Sequence, residues 1–168
     1  MLTIDKKSLR VGRYVDTQHV DTSIRNYKQE RWVQNSERIG KEDSMSVWYS
    51  IEELEEFMHR AKENGANGIR FYFAAYDQDY KDQPEYAGRQ TIVLVANKAK
   101  MTEAGLAKKD IYITTEEGTS ILAYNSGSVC PPYCLPGGKG GGGGIAGDDW
   151  GGIGTALVDR GDEGMVIV

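Results

Sequence analysis

Histidine and cysteine are scarce in this chain, with two of each, His19, His59, Cys130 and Cys134. Zinc takes four ligands in its structural sites, so the supply of nitrogen and sulfur donors is thin. His59 sits beside Met58 in a helical pattern and reads as surface or half-buried packing. Long apolar runs are missing too: no stretch approaches the ~18 residues needed to span a bilayer. Nor is there an excess of positive charge. Twenty basic residues against 25 acidic ones leave a net charge of −5, which disfavours wrapping a polyanion and sets nucleic acid aside as a partner. Met1 to Arg10 carries three basic residues with no apolar segment behind them, so no secretory signal is read and the expected location is the cytoplasm. No nucleophile elbow is found, and no sequence argument pairs two carboxylates in one pocket. No cofactor is implied.

What is present is a scaffold. The length of 168 residues suits one domain with a real core. The clearest signal is a helix from Ser50 to Asn64. Ser50 with Glu53 three residues on is a capping box; Ile51, Leu54, Phe57, Met58 and Ala61 form an apolar stripe; Asn64-Gly65 supplies a left-handed stop. Two strands follow, Ile69 to Tyr76 and Gln90 to Asn97. In the first, Ile69, Phe71, Phe73 and Ala75 share the face expected to pack on the helix, leaving Arg70, Tyr72, Ala74 and Tyr76 opposite. The second is apolar on both faces, the mark of a central strand.

Upstream, Asp16 or Thr17 begins a helix with Val20, Ile24, Tyr27 and Arg31 on one face and Trp32 and Val33 extending its apolar side, fraying from Gln34 to Ser44. Met45 to Ser50 is an extended lead-in to the central helix. Downstream, Lys98 to Lys109 fits a helical turn or a loop equally well. Ile111–Thr114 and Ser120–Tyr124 flank Thr115-Glu116-Glu117-Gly118 as a hairpin. The expected fold is therefore α+β: a mainly antiparallel sheet of four or more strands with two helices packed on it, and a Gly-rich C-terminal tail. A soft boundary near Leu135 divides residues 1–135 from a tail, 136–168, in which Thr155–Val158 and Met165–Val168 form a last hairpin.

The candidate sites each stand beside a plainer reading. Lys139 among glycines invites a phosphate loop, but no Ser or Thr follows it and no helix is signalled, so a linker is preferred. Asp77, Asp79 and Asp82 resemble the opening of a calcium loop, yet Asp82 stands where glycine belongs and Gly88 where a bidentate Glu belongs; a solvated acidic loop is the better reading. Asp148 and Asp149 beside Trp150 raise the same question more weakly, and Arg160-Gly161-Asp162 is read as a turn. Cys130-Pro131-Pro132-Tyr133-Cys134 makes a stiff turn that brings two sulfurs together, as a small disulfide or as a functional thiol or two-sulfur metal site. For a small ligand, a pocket between the sheet and the loop from Asp77 to Gly88 would be lined by Arg70, Tyr72, Tyr76 and Asp77.

The order of parts carries a resemblance. A capped helix, Ile69-Arg70-Phe71-Tyr72-Phe73, Thr91-Ile92-Val93-Leu94-Val95 and Cys130-Pro131-Pro132-Tyr133-Cys134 are together similar to a group of small uncharacterised Bacteroidota proteins. Those chains pair an I-R-x-Y-F strand with an L-V-L-V strand and finish near C-P-P-x-C. The resemblance spans Ser46 to Cys134 and implies no activity and no catalytic residues; the glycine-rich tail departs from it. The function expected is a non-enzymatic structural or protein-interaction module that binds a protein partner or itself, a homo-oligomer joined through that tail. The alternative is a small-ligand-binding protein or enzyme using the pocket above.

Overall fold

The computed structural model describes residues 9–134, 157–159 and 165–167. Lys139, Asp148, Asp149, Trp150, the Arg160-Gly161-Asp162 turn and nearly all of the Gly-rich tail lie outside these. Asp16 opens the first helix, its Oδ1 accepting from the His19 N–H at 2.8 Å. α1 (Thr17–Tyr27) runs through a π-helical segment, Lys28–Trp32, into α2 (Val33–Ile39), and Gly40 ends it at φ 70°. Helix thus extends well into the stretch expected to fray from Gln34. Val20, Ile24 and Tyr27 are half-buried as expected, but Arg31 is exposed. The wider π turn hands the next position on that face to Trp32, five residues after Tyr27.

β1 (Ser46–Trp48) leads into α3 (Ile51–Glu63). The capping box is made in full: Ser50 Oγ accepts from the Glu53 N–H at 3.1 Å and Glu53 Oε2 from the Ser50 N–H at 2.8 Å. Gly65, at φ 84°, follows the Asn64 cap. β2 (Gly68–Ala75) pairs antiparallel with β3 (Gln90–Thr102), Gly68 opposite Asn97 and Ala75 opposite Gln90. β3 is the spine of the sheet. Its far edge pairs first with β7 (Ala123–Tyr124), at Leu94 and Val95, then with β4 (Gly105–Asp110), from Asn97 onward. Where the sequence left helical turn and loop open for Lys98 to Lys109, the chain forms a long hairpin. Lys98, Lys100, Lys108 and Lys109 all face solvent there, which erases the apolar alternation that marks a strand.

β5 (Tyr112–Thr115) and β6 (Gly118–Ile121) form the expected hairpin with Gly118 at φ 124°. It branches from β3 at Ala96, whose carbonyl accepts from the Ile111 N–H and whose N–H donates to Leu122 O, both at 2.9 Å. β8 (Ser128–Cys130) returns to pair with β1, and the Met45 N–H donates to Cys130 O at 2.7 Å. β9 (Leu157–Asp159) and β10 (Met165–Ile167) pair antiparallel. The fold is α+β.

Among the described residues the core has two parts. Phe57 and Ala61 of α3 pack on Leu94, Ala96 and Leu122, with Ile69, Ile92 and Tyr124 around them. A second cluster gathers Tyr76, Tyr86 and Val129, with Val47 and Tyr80 alongside. The expectation that Phe71 and Phe73 pack under α3 is corrected. They share a face with Leu94 and Ile92, their partners across β3, yet Phe71 is 59% and Phe73 85% exposed. On that strand Ile69 packs against the cluster that holds Phe57 and Ala61.

Candidate functional site

The four pocket residues expected beside the 77–88 loop divide between separate places. Arg70 and Tyr72 lie on the outer face of β2 and meet Asp110 at the end of β4. Arg70 Nη1 donates to the Tyr72 hydroxyl at 2.7 Å, which donates to Asp110 Oδ2 at 2.6 Å. Arg70 Nη1 also stands 3.2 Å from Asp110 Oδ1, and Asn97 Nδ2 donates to that oxygen at 2.9 Å. The Tyr72 hydrogen bond, then Asn97 and the Arg70 charge, hold the Asp110 carboxyl below its ordinary range. These groups satisfy one another. The cluster ties β2, β3 and β4 together.

Tyr76 lies farther along the same face, in the second core cluster, with its hydroxyl 3.4 Å from Oγ1 of Thr91, the partner of Ala74. Its ring lies 4.6 Å from that of Tyr80 and 5.4 Å from that of Tyr86. Its hydroxyl donates to Asn125 Oδ1 at 3.2 Å, and burial raises its pKa. Asp77 is exposed, and its carbonyl closes the loop by accepting from the Tyr80 N–H at 3.2 Å and the Gly88 N–H at 3.0 Å. The 77–88 segment is thus a compact loop stapled by its own tyrosines, and those rings occupy the space where the pocket was expected. A depression of about 430 Å³ lies elsewhere, between the end of α3 and the β4–β5 bend, bordered by Asn64, Lys98, Lys109 and Tyr112. Asp79 and Asp82 are exposed like Asp77. Among the described residues no three of His, Cys, Asp and Glu gather so as to hold a metal ion, so the calcium-loop resemblance of Asp77, Asp79 and Asp82 does not extend to their placement.

Cys130 and Cys134 form a disulfide, with Cα atoms 4.7 Å apart. Both Cys130-Pro131 and Pro131-Pro132 peptide bonds are cis. The turn is bound to the body of the fold by Met45, and Arg89 Nη1 reaches Pro131 O at 3.5 Å.

Sequence reasoning missed a buried polar junction. Asp43 and Arg89 are 2% and 7% exposed. Asp43 Oδ1 accepts from the Gln90 N–H at 2.6 Å and the Ser44 N–H at 2.8 Å. Trp32 Nε1 donates to Asp43 O at 2.7 Å, and the Asp43 N–H donates to Ser36 Oγ at 2.9 Å. Arg89 donates to Glu85 O through Nε at 2.8 Å and, through Nη1, to Glu42 O. Tyr27 closes the set, its hydroxyl donating to Gln90 Oε1 at 3.0 Å; burial and the Asp43 charge raise its pKa. Single polar letters have no periodicity, so only their neighbours in space reveal them.

The remaining feature is an apolar strip that lies exposed among the described residues. β2 has β3 as its one strand neighbour among the described residues. The Tyr76 N–H donates to Arg89 O at 3.0 Å, in register with the ladder. That bond sets the alternation: Gly68, Arg70, Tyr72 and Ala74 turn their backbone groups to β3, while Ile69, Phe71, Phe73 and Ala75 turn theirs to the open edge. On α3, Glu53 accepts from the Tyr124 hydroxyl at 3.1 Å, marking the flank over β7. The helical repeat then puts Ile51, Leu54 and Met58 on the opposite flank, beside β2. Ile51 is 74% and Met58 40% exposed. Phe71, Phe73, Ile51 and Met58 thus border one side of the sheet, next to an edge with no Pro or Lys in it.

Among the described residues no helix is long and apolar enough to cross a membrane. No protein family, no curated protein and no solved structure matches the chain.

Proposed function

We propose that this protein is a non-enzymatic protein-interaction module whose contact surface is the open edge of β2 and the apolar strip beside it. The observation that carries the reading is the exposure of Phe71 and Phe73 on a strand that, among the described residues, has β3 as its one strand neighbour and carries no Lys or Pro. Sheet edges in proteins that stay single are blunted by Lys, Pro, a bulge or a covering loop. The one charge in β2 is Arg70, and it is engaged by Tyr72 and Asp110. A row of backbone donors and acceptors that no strand pairs among the described residues, flanked by aromatic rings, suits strand addition, in which main-chain bonds give affinity and side chains give selectivity. The small-ligand alternative has less support, since Tyr76, Tyr80 and Tyr86 fill the space beneath the loop. The disulfide favours an oxidising compartment over the cytoplasmic one, because such bonds persist there.

The test is photo-cross-linking from a benzoylphenylalanine placed at Phe73 in the full chain, expressed in its source cells. A covalent adduct of discrete mass supports the module. A probe that yields no adduct at Phe73 or at Phe71 overturns it.

A further inference from the structure

We infer that the partner at this edge is a second copy of the same chain, its β2 lying antiparallel to the first about a two-fold axis through Tyr72. The inference rests on the interaction-module reading and adds the identity of the partner and the register. It follows from the residue pattern. The groups open to the edge belong to Ile69, Phe71, Phe73 and Ala75. With Tyr72 opposite Tyr72 of the second copy, Phe71 faces Phe73, Phe73 faces Phe71, and Ile69 and Ala75 face each other. Every outward backbone group from Ile69 to Ala75 then has a partner, which registers centred on neighbouring residues do not achieve. Opposed residues of an antiparallel pair share a face. Four phenylalanine rings therefore fall in one strip, with the α3 helices of the two copies flanking it and offering Ile51 and Met58 from either side.

Charge and area agree with this. Arg70 would stand opposite Ala74 of the second copy, so no like charges meet within the strand pair. At roughly 200 Å² per ring, the exposed parts of Phe71 and Phe73 amount to roughly 300 Å² per copy. Doubled, and joined by Ile51, Met58 and the strand backbones, the contact approaches the ~1,000 Å² that a specific interface needs.

Light scattering after size-exclusion chromatography of the full chain, over a dilution series, is expected to give twice the chain mass. Phe73→Glu is expected to weaken the dimer by ~30-fold or more with its circular dichroism unchanged, because the side chain lies outside the core. Tyr72→Cys is expected to form a self-cross-linked dimer under mild oxidation, whereas Ala74→Cys, facing Arg70, is not. A monomer at every concentration, or a dimer indifferent to Phe73→Glu, overturns the inference. The wider reading fails separately: adducts from Phe73 to a protein of another mass retain the module and reject self-pairing, and the absence of any adduct rejects both.

Discussion

Among the described residues Asp43 and Arg89 are the charged side chains that the fold takes fully inside. Each is held by backbone partners from segments far apart in sequence: Asp43 by Gln90, and Arg89 by Glu42 and Pro131. Replacing Asp43 by Ala strands the buried N–H groups of Ser44 and Gln90, and urea unfolding is expected to show a loss of about 2–3 kcal/mol. Asp110 offers a second test, of pH rather than packing. Its carboxyl titrates lower in the folded chain than in the unfolded one, because Tyr72, Asn97 and Arg70 favour its charge. Its stabilising effect is therefore complete above the ordinary carboxylate value and is lost as pH falls through the lower, folded value. Below about pH 4, stability of the native chain should fall more steeply than that of Asp110→Asn, as read by denaturant midpoints across the pH series. A flatter response in the native chain would contradict the cluster.

Elements differ in how much of themselves they wrote into the sequence. α3 was legible to the residue, because Ser50, Glu53, Asn64 and Gly65 are local signals that tertiary contacts had no reason to override. The first helix was legible as far as Trp32 and Val33, but not in its continuation to Ile39. Beyond Tyr27 the π segment adds a residue to the turn, so a reading at fixed helical spacing selects Arg31 where Trp32 serves. β2 showed its alternation correctly, but alternation says which residues share a face and nothing about how far a helix covers that face. Phe71 and Phe73 look like core for that reason. The four candidate pocket residues divide for another reason: Arg70 and Tyr72 are engaged by Asp110, while Tyr76, farther along the same face, packs with Tyr80 and Tyr86. β1 and β8 give an element-scale prediction. A Cβ on Gly127 would come within 2.6 Å of both the Tyr49 ring and Val47 Cγ1, with Tyr49 itself packed against Tyr124. Gly127→Ala is expected to cost on the order of 1–3 kcal/mol by overpacking, seen as a lower melting temperature; an unchanged one would mean that β1 yields freely.

At the scale of the molecule, the disulfide, Arg89 and the β1–β8 pair converge on one corner. Closing so short a loop, four residues apart in sequence, is expected to add about 2 kcal/mol by restricting the unfolded chain. The double replacement of Cys130 and Cys134 by Ser should lower stability by about that amount in chemical denaturation, and reductant should do the same to the native chain while leaving the double variant unaffected. The same corner brings Met45 and Cys130 within one hydrogen bond. Everything from α3 to β7 is strung between those two points, so the entrance and exit of that unit are neighbours. Such a layout is what permits a chain to be spliced into a loop of another protein, or its own order to be rewired by joining 45 to 130 and opening the β5–β6 turn at Glu116-Glu117.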